Sequence, residues 1–224
     1  MLSKDVLANR IRNLILVGLL SGDSVVSLMG QGTVKGKAAL PASKKSSVSS
    51  QRYANIAGKV GTPKGKVGVV WVEGDFSGLT NKAPSEITIG QKDFQFAVSA
   101  LPIQVGTRVT FPNHDDAYHN VFSYSKAKRF DLGRYLKDEA TPAVIFDKPG
   151  VVRLYCEIHE HMSATIVVVD SPFFTTTDTA GKFTLSGVPA GRHTLKAWLG
   201  KKTIVEMTVD LKDGETLSAD LLAK

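Results

Sequence analysis

The sequence predicts an all-β protein built from two units, and three observations predict it. Short runs rich in Val, Ile, Thr, Phe and Tyr recur at 56–60, 67–72, 86–89, 94–98, 107–111, 120–124, 143–146, 151–155 and 165–169, with turn-forming residues between them. No stretch sustains the 3.6-residue apolar period of an amphipathic helix. After Pro172 a second, shorter set follows at 183–185, 194–199, 203–210 and 216–222, punctuated by Asp178-Thr179-Ala180-Gly181, Gly187-Val188-Pro189-Ala190-Gly191 and Asp213-Gly214. Seven or more short strands with turns between them predict a β-sandwich, and the second set predicts a small antiparallel β domain.

Taken in order, the chain opens with Lys4, Arg10 and Arg12 ahead of an apolar run at 14–20, which Ser21-Gly22-Asp23 interrupts before Val25-Val26-Ser27-Leu28-Met29. A basic start and a short apolar run read as a secretory signal or an uncleaved anchor over 1–32, with cleavage near Gly30-Gln31-Gly32 or near Ala38-Ala39. A membrane span is not expected, because spanning takes about 20 predominantly apolar residues and Asp23 interrupts this run. Residues 31–52 are small, polar and basic without a period, and 33–52 are assigned as a flexible linker. The first unit, 53–170, then begins with a hairpin whose arms, 56–60 and 67–72, flank Gly61-Thr62-Pro63-Lys64-Gly65. Residues 126–136 read as a short helical turn or an irregular loop. The second unit covers 171–224.

Composition removes several function classes. The chain of 224 residues carries a formal charge of +7, but residues 1–50 hold seven Lys or Arg against two Asp or Glu, leaving 21 against 19 in the remainder. The folded part therefore lacks the dense basic face that neutralising phosphates requires, and no nucleic-acid partner is expected. A single cysteine, Cys156, rules out an intrachain disulfide, a four-thiolate zinc site and a single-chain iron-sulfur cluster. In an exported protein an unprotected thiol is a liability, so a site that occupies the sulfur is favoured.

Around that cysteine the chain reads Pro149-Gly150-Val151-Val152-Arg153-Leu154-Tyr155-Cys156-Glu157-Ile158-His159-Glu160-His161-Met162. A Pro-Gly turn launches a strand that ends at the thiol, and the spacing C-x-x-H-x-x-M puts sulfur, imidazole and thioether on one tight loop where they can converge on one ion. Upstream, His119 stands just before another strand and can close the set from a neighbouring loop. Thiolate, imidazole and a weak thioether suit both Cu(I) and Cu(II); zinc would also bind, but gains nothing from Met162. His161 is two residues from His159 and is an alternative ligand, with solvent exposure its default. His114, followed by Asp115 and Asp116, reads as a solvated turn.

These two segments resemble those of the cupredoxins, the type 1 blue copper proteins, and C-x-x-H-x-x-M resembles the short ligand loop of the amicyanin type, over roughly residues 86–170. The wider chain is similar to periplasmic methylamine-utilisation-like or plastocyanin-like proteins, through Phe111-Pro112-Asn113, His119-Asn120-Val121-Phe122-Ser123 and Phe130-Asp131-Leu132-Gly133. The resemblance implies a Greek-key cupredoxin sandwich followed by a carboxypeptidase-regulatory-like β domain. It implies His119, Cys156 and His159 as equatorial ligands and Met162 as the axial one. It also implies that Asn120 ties the two ligand loops together and donates a backbone hydrogen bond to the sulfur.

The expected function is electron transfer by a periplasmic mononuclear copper site, between redox partners such as a cytochrome or a dehydrogenase, through an exposed histidine edge. Copper storage, delivery or tolerance is the alternative. An enzyme is not expected. Beyond His119 and His159 the five histidines leave only His114, His161 and His193, too few and too badly spaced for a trinuclear copper cluster. No G-x-S-x-G nucleophile pattern occurs either.

Overall fold

The computed structural model describes residues 30–41, 65–76, 85–140, 142–200 and 204–222. The leader up to residue 29, the rest of the assigned linker and the first arm of the expected hairpin lie outside the described residues. What is described is all-β, with no helix among the described residues, and it comprises two sandwiches stacked face to face.

The first sandwich holds the site. Its larger sheet runs in the order β6 (Ala100–Gln104), β12 (Ser163–Val169), β11 (Gly150–Tyr155), β8 (His119–Tyr124) and β9 (Arg129–Tyr135). The smaller sheet is β10 (Val144–Ile145), β7 (Arg108–Thr110) and β3 (Glu86–Thr88), with a separate two-stranded hairpin of β4 (Gln91–Lys92) and β5 (Gln95–Phe96). Between them Ile89, Phe96, Ile103, Phe111, Val121, Phe146, Val152, Leu154, Ile166 and Val168 form one buried cluster that also contains Cys156 and Met162.

The second sandwich pairs β13 (Phe174–Thr176), β2 (Val69–Glu73), β15 (Gly191–Trp198) and β16 (Ile204–Leu211) in one sheet. The other sheet is β14 (Lys182–Pro189), β1 (Gln31–Lys37) and β17 (Thr216–Ser218). A third cluster, Val69, Trp71, Ala100, Val167, Val169 and Trp198, joins the two sandwiches. This explains the uninterrupted apolar runs Val69-Val70-Trp71-Val72 and Ile166-Val167-Val168-Val169. In β2, Val70 and Val72 enter the core of the second sandwich while Val69 and Trp71 face the first; β12 does the converse. A strand covered on both faces has no polar side to alternate with.

Four expectations need correcting. The assigned linker 33–52 begins inside a strand: β1 pairs with β14 on one edge and β17 on the other, with Val34 and Ala38 in the core. Its composition is misleading because two neighbours satisfy its backbone, and Gly36 is needed where the Ala219 carbonyl packs against it. The second arm of the expected hairpin is β2, which pairs with β13 and β15, so it belongs to the second sandwich rather than to 53–170. The boundary at 170/171 therefore does not divide the units, since β1 and β2 reach forward across it. Residues 126–136 are neither helix nor irregular loop; most of them form β9, with Phe130 and Leu132 half-buried against the core. Finally, β6 was not anticipated because Pro102 interrupts its pattern; it is an edge strand, where a missing backbone N–H costs no ladder bond.

Candidate metal centre

Two strand ends bring the chemistry together. His119 opens β8, Cys156 directly follows β11, and these strands are neighbours through the Tyr155–Phe122 pair. The chain from Cys156 to Met162 turns back into β12 and is closed by its own backbone: the Met162 N–H donates to the His159 carbonyl (2.8 Å) and the Cys156 N–H to the Met162 carbonyl (3.3 Å). This turn carries His159 inward. As a result, Cys156 Sγ lies 4.0 Å from His119 Nδ1 and 3.7 Å from His159 Nδ1, and the two nitrogens are 3.1 Å apart.

The spacing can be tested against a bound ion. Nitrogens about 2.0 Å and a sulfur about 2.3 Å from one centre, at trigonal or tetrahedral angles, lie roughly 3.3–3.6 Å (N–N) and 3.6–3.8 Å (N–S) apart. The observed separations fall within a few tenths of an ångström of these values, so the three donors fit a single transition-metal ion. The exposure of His119, Cys156 and His159 is 0, 3 and 4%. Met162, at 0%, closes the same loop with its side chain in the cluster that holds Cys156 and Phe94.

The donors are held in forms that suit a metal. Burial pushes the Cys156 thiol up. The His119 hydrogen bond and the backbone N–H groups of Asn120, His159 and Ile158 outweigh this and hold it below the ordinary thiol value, toward the thiolate. Burial, reinforced by His119 and His161, brings His159 down to about 4, which leaves its imidazole neutral at physiological pH. Burial opposes protonation of His119 as well, but hydrogen bonds to Cys156 and Asp115 raise it on balance.

Asn120 sits between the loops. Its Oδ1 accepts the Glu157 N–H (2.6 Å), which ties the end of β8 to the loop after Cys156, and its own backbone N–H points at the sulfur. Asn120→Ala is expected to leave that loop N–H without its buried acceptor, at a cost of about 1–3 kcal/mol in the melting transition. It should also weaken metal affinity about 10- to 100-fold, since it loosens the frame of the ligand loop. Chemical denaturation and competitive metal titration of the variant measure the two effects.

His161, expected on the outside, is half-buried, and its Nε2–H donates to the Phe94 carbonyl (3.0 Å). It is His159, not His161, that faces the sulfur. His114 is exposed. Glu160 is exposed, and Glu157 is engaged by Arg134 at 3.1 Å. The exposed histidine edge is also corrected, because the hairpin of β4 and β5 lies over the site. The Phe94 ring meets His159 edge-on at 4.8 Å and His119 at 5.6 Å between centroids.

Two residues were not anticipated. Asp115, read as part of a solvated turn, accepts the His119 Nε2–H at 2.9 Å and so directs Nδ1 toward Cys156 and His159. Its spacing, four residues before His119, was the available signal. Phe94 has φ +57° and Asp93 φ +52°, the left-handed pair of a two-residue hairpin turn. A phenylalanine in that conformation costs about 1–2 kcal/mol and has no one-dimensional signature.

No protein-family model and no curated protein matches the chain. Among solved structures, amicyanin from Paracoccus versutus is 21% identical over 40% of this chain and 86% of its own, with a TM-score of 0.35. A reduced Cu(I) amicyanin variant is 22% identical over 40% and 87%, with a TM-score of 0.35. The copper-containing nitrite reductase of Thermus scotoductus SA-01 is 26% identical over 39% of this chain and 23% of its own, with a TM-score of 0.36. Likeness at this level bears on neither fold nor function, which rest on the strand pairing and the donor geometry.

Proposed function

We propose that the chain is a mononuclear type 1 copper protein of the cupredoxin class that passes single electrons between redox partner proteins. The observation that carries this is the convergence of one thiol and two imidazoles, at ligand spacing, within a buried apolar cluster. His119, Cys156 and His159 would hold the ion, with the Met162 thioether as the proposed fourth, weak donor. Copper bound there supplies one-electron chemistry between Cu(I) and Cu(II). The protein keeps the donors rigid at two adjacent strand ends, excludes water with Phe94 and the Cys156–Met162 loop, and lowers the thiol's affinity for a proton.

Burial favours this reading over copper storage or delivery, because a courier needs a ligand edge from which a recipient can take the ion, and the donors here are at most 4% exposed. It also disfavours catalysis, since a catalytic metal keeps a position open to substrate. The partners we propose, a cytochrome or a dehydrogenase, would meet the protein through a small, quickly dissociating interface. We further propose export to the periplasm through the basic and apolar leader. Cleavage near Ala38-Ala39 would remove β1, so a cleaved signal would have to end before Gln31.

Titration of the purified protein with Cu(II) tests the proposal. One equivalent should produce an intense visible band from thiolate-to-copper charge transfer and a paramagnetic resonance signal with narrow copper hyperfine splitting. A colourless product, or zinc bound in preference after export from copper-replete cells, would overturn it.

A further inference from the structure

The Asp115 carboxylate does two jobs with one group. Its Oδ2 receives the His119 Nε2–H at 2.9 Å. The same carboxylate receives the backbone N–H groups at the tip of the β4–β5 hairpin: Asp93 on Oδ1 at 2.8 Å and Phe94 on Oδ2 at 2.9 Å. The Asp115 backbone N–H is in turn fixed by the Asn113 side chain at 2.9 Å.

The base of the hairpin is anchored separately, by the Gln91 N–H on the Pro112 carbonyl and the His114 N–H on the Gln91 carbonyl. The tip is held by side chains near the metal donors, Asp115 from one side and His161, through the Phe94 carbonyl, from the other. That tip is where the left-handed Asp93 and Phe94 sit, a conformation that persists only when the surroundings impose it.

Resting on the copper reading above, we propose that Asp115 is the positioning residue of the centre. It couples the orientation of His119 to closure of the Phe94 ring over both imidazoles, so that the centre stays closed to outside ligands and releases its ion slowly only while this carboxylate is in place. Phe94 is the cover; Asp115 is the latch that also aims a ligand. The two properties a carrier needs, a fixed ligand set and a closed site, are thus set by one side chain.

The test uses the full chain loaded with Cu(II), and compares Phe94→Ala, Asp115→Ala, Asp115→Asn and the Phe94→Ala/Asp115→Ala double variant. Transfer of copper to excess EDTA should be about tenfold or more faster in both alanine variants than in the parent. The double variant should be no faster than the quicker single one, because both act through the same closure. Azide should perturb the visible spectrum of the opened variants and leave the parent unchanged. Without azide, the paramagnetic resonance spectrum should change in the Asp115 variants, where His119 loses its partner, and stay parental in Phe94→Ala.

Asp115→Asn keeps the size of the side chain and can hold only part of the acceptor set, so it should fall between parent and alanine, and it serves if Asp115→Ala does not fold. Multiplying effects in the double variant, or Asp115 variants with parental exchange and parental resonance, would overturn the coupling. Amide hydrogen exchange on metal-free protein separates this from the copper reading. If no metal binds at all, the copper reading fails, while the latch still requires the Asp93 and Phe94 amides to exchange faster in Asp115→Asn; unchanged exchange there overturns it.

Discussion

Cys156→Ser is expected to erase the intense visible band of the copper-loaded protein and to weaken Cu(II) binding by at least about 100-fold, more than the loss of any hydrogen-bond partner around the site. Cys156 carries the only sulfur among the three donors, and as a thiolate it is the group whose charge transfer to the metal would give the colour. A serine hydroxyl in the same place cannot follow it. The backbone N–H groups of Asn120, His159 and Ile158 that draw the thiol toward its thiolate are not enough to ionise an alcohol under the same burial. Met162→Leu is the matched control. Met162 is wholly buried, Leu is close to it in volume, and the exchange should cost less than about 1.5 kcal/mol in stability. It should leave the band in place and raise the reduction potential, because a weak donor that favours the oxidised ion has been removed. Absorption spectra of the loaded variants, competitive titration and redox titration read these outcomes. Retention of the parental band in Cys156→Ser would mean that the sulfur is a core side chain and not a ligand.

The convergence of His119, Cys156 and His159 was legible because its spacing is short and local. Cys156 and His159 share one loop, and His119 precedes a short β-type run. What surrounds the donors was less legible because it depends on packing between distant segments. Asp115 looks like any acidic turn residue until the β4–β5 hairpin, some twenty positions earlier, lays its backbone N–H groups on it. Phe94 looks like an ordinary apolar residue of a strand; only the two-residue turn reveals that its ring is a cover. Such closure is tertiary, and it reversed the expectation of an exposed imidazole.

A similar contrast runs through the fold. β11, with one face in a core, announced itself by alternation, and β2 and β12 by unbroken apolar runs. β9 was hidden because most of its residues are exposed or half-buried and Gly133 sits in the left-handed region at φ +70°. β1 was hidden for a different reason. Its inward face carries little more than Val34, and what holds it is hydrogen bonding on both edges, which leaves almost no trace in side-chain composition.

That reading of β1 makes the second large prediction. Deleting residues 1–41 is expected to abolish the cooperative unfolding transition of the second sandwich. β1 lies between β14 and β17, so its loss strips β14 of seven paired residues and β17 of its strand partner in the sheet. It also opens the core where Val34 and Ala38 are 0% and 1% exposed. Burial of Val34 alone is worth about 1.5–3 kcal/mol. Together with the newly unpaired backbone of two strands, the loss approaches the whole stability of a typical domain, about 5–15 kcal/mol. A point variant makes the same case without shortening the chain. A side chain at Gly36 would collide with the backbone carbonyl of Ala219, so Gly36→Val must push β17 away from β1, at a cost of about 1–3 kcal/mol or more. Both tryptophans, Trp71 and Trp198, lie on β2 and β15 in the cluster between the sandwiches, so their fluorescence reports this transition directly. On the copper reading, the visible band would report the other sandwich, whose core does not include β1, and it should persist in Gly36→Val. A fluorescence melt of the 1–41 deletion that matches the parent would show that β1 contributes nothing to the stability of that core, and the composition-based linker would then be the better description of 33–41.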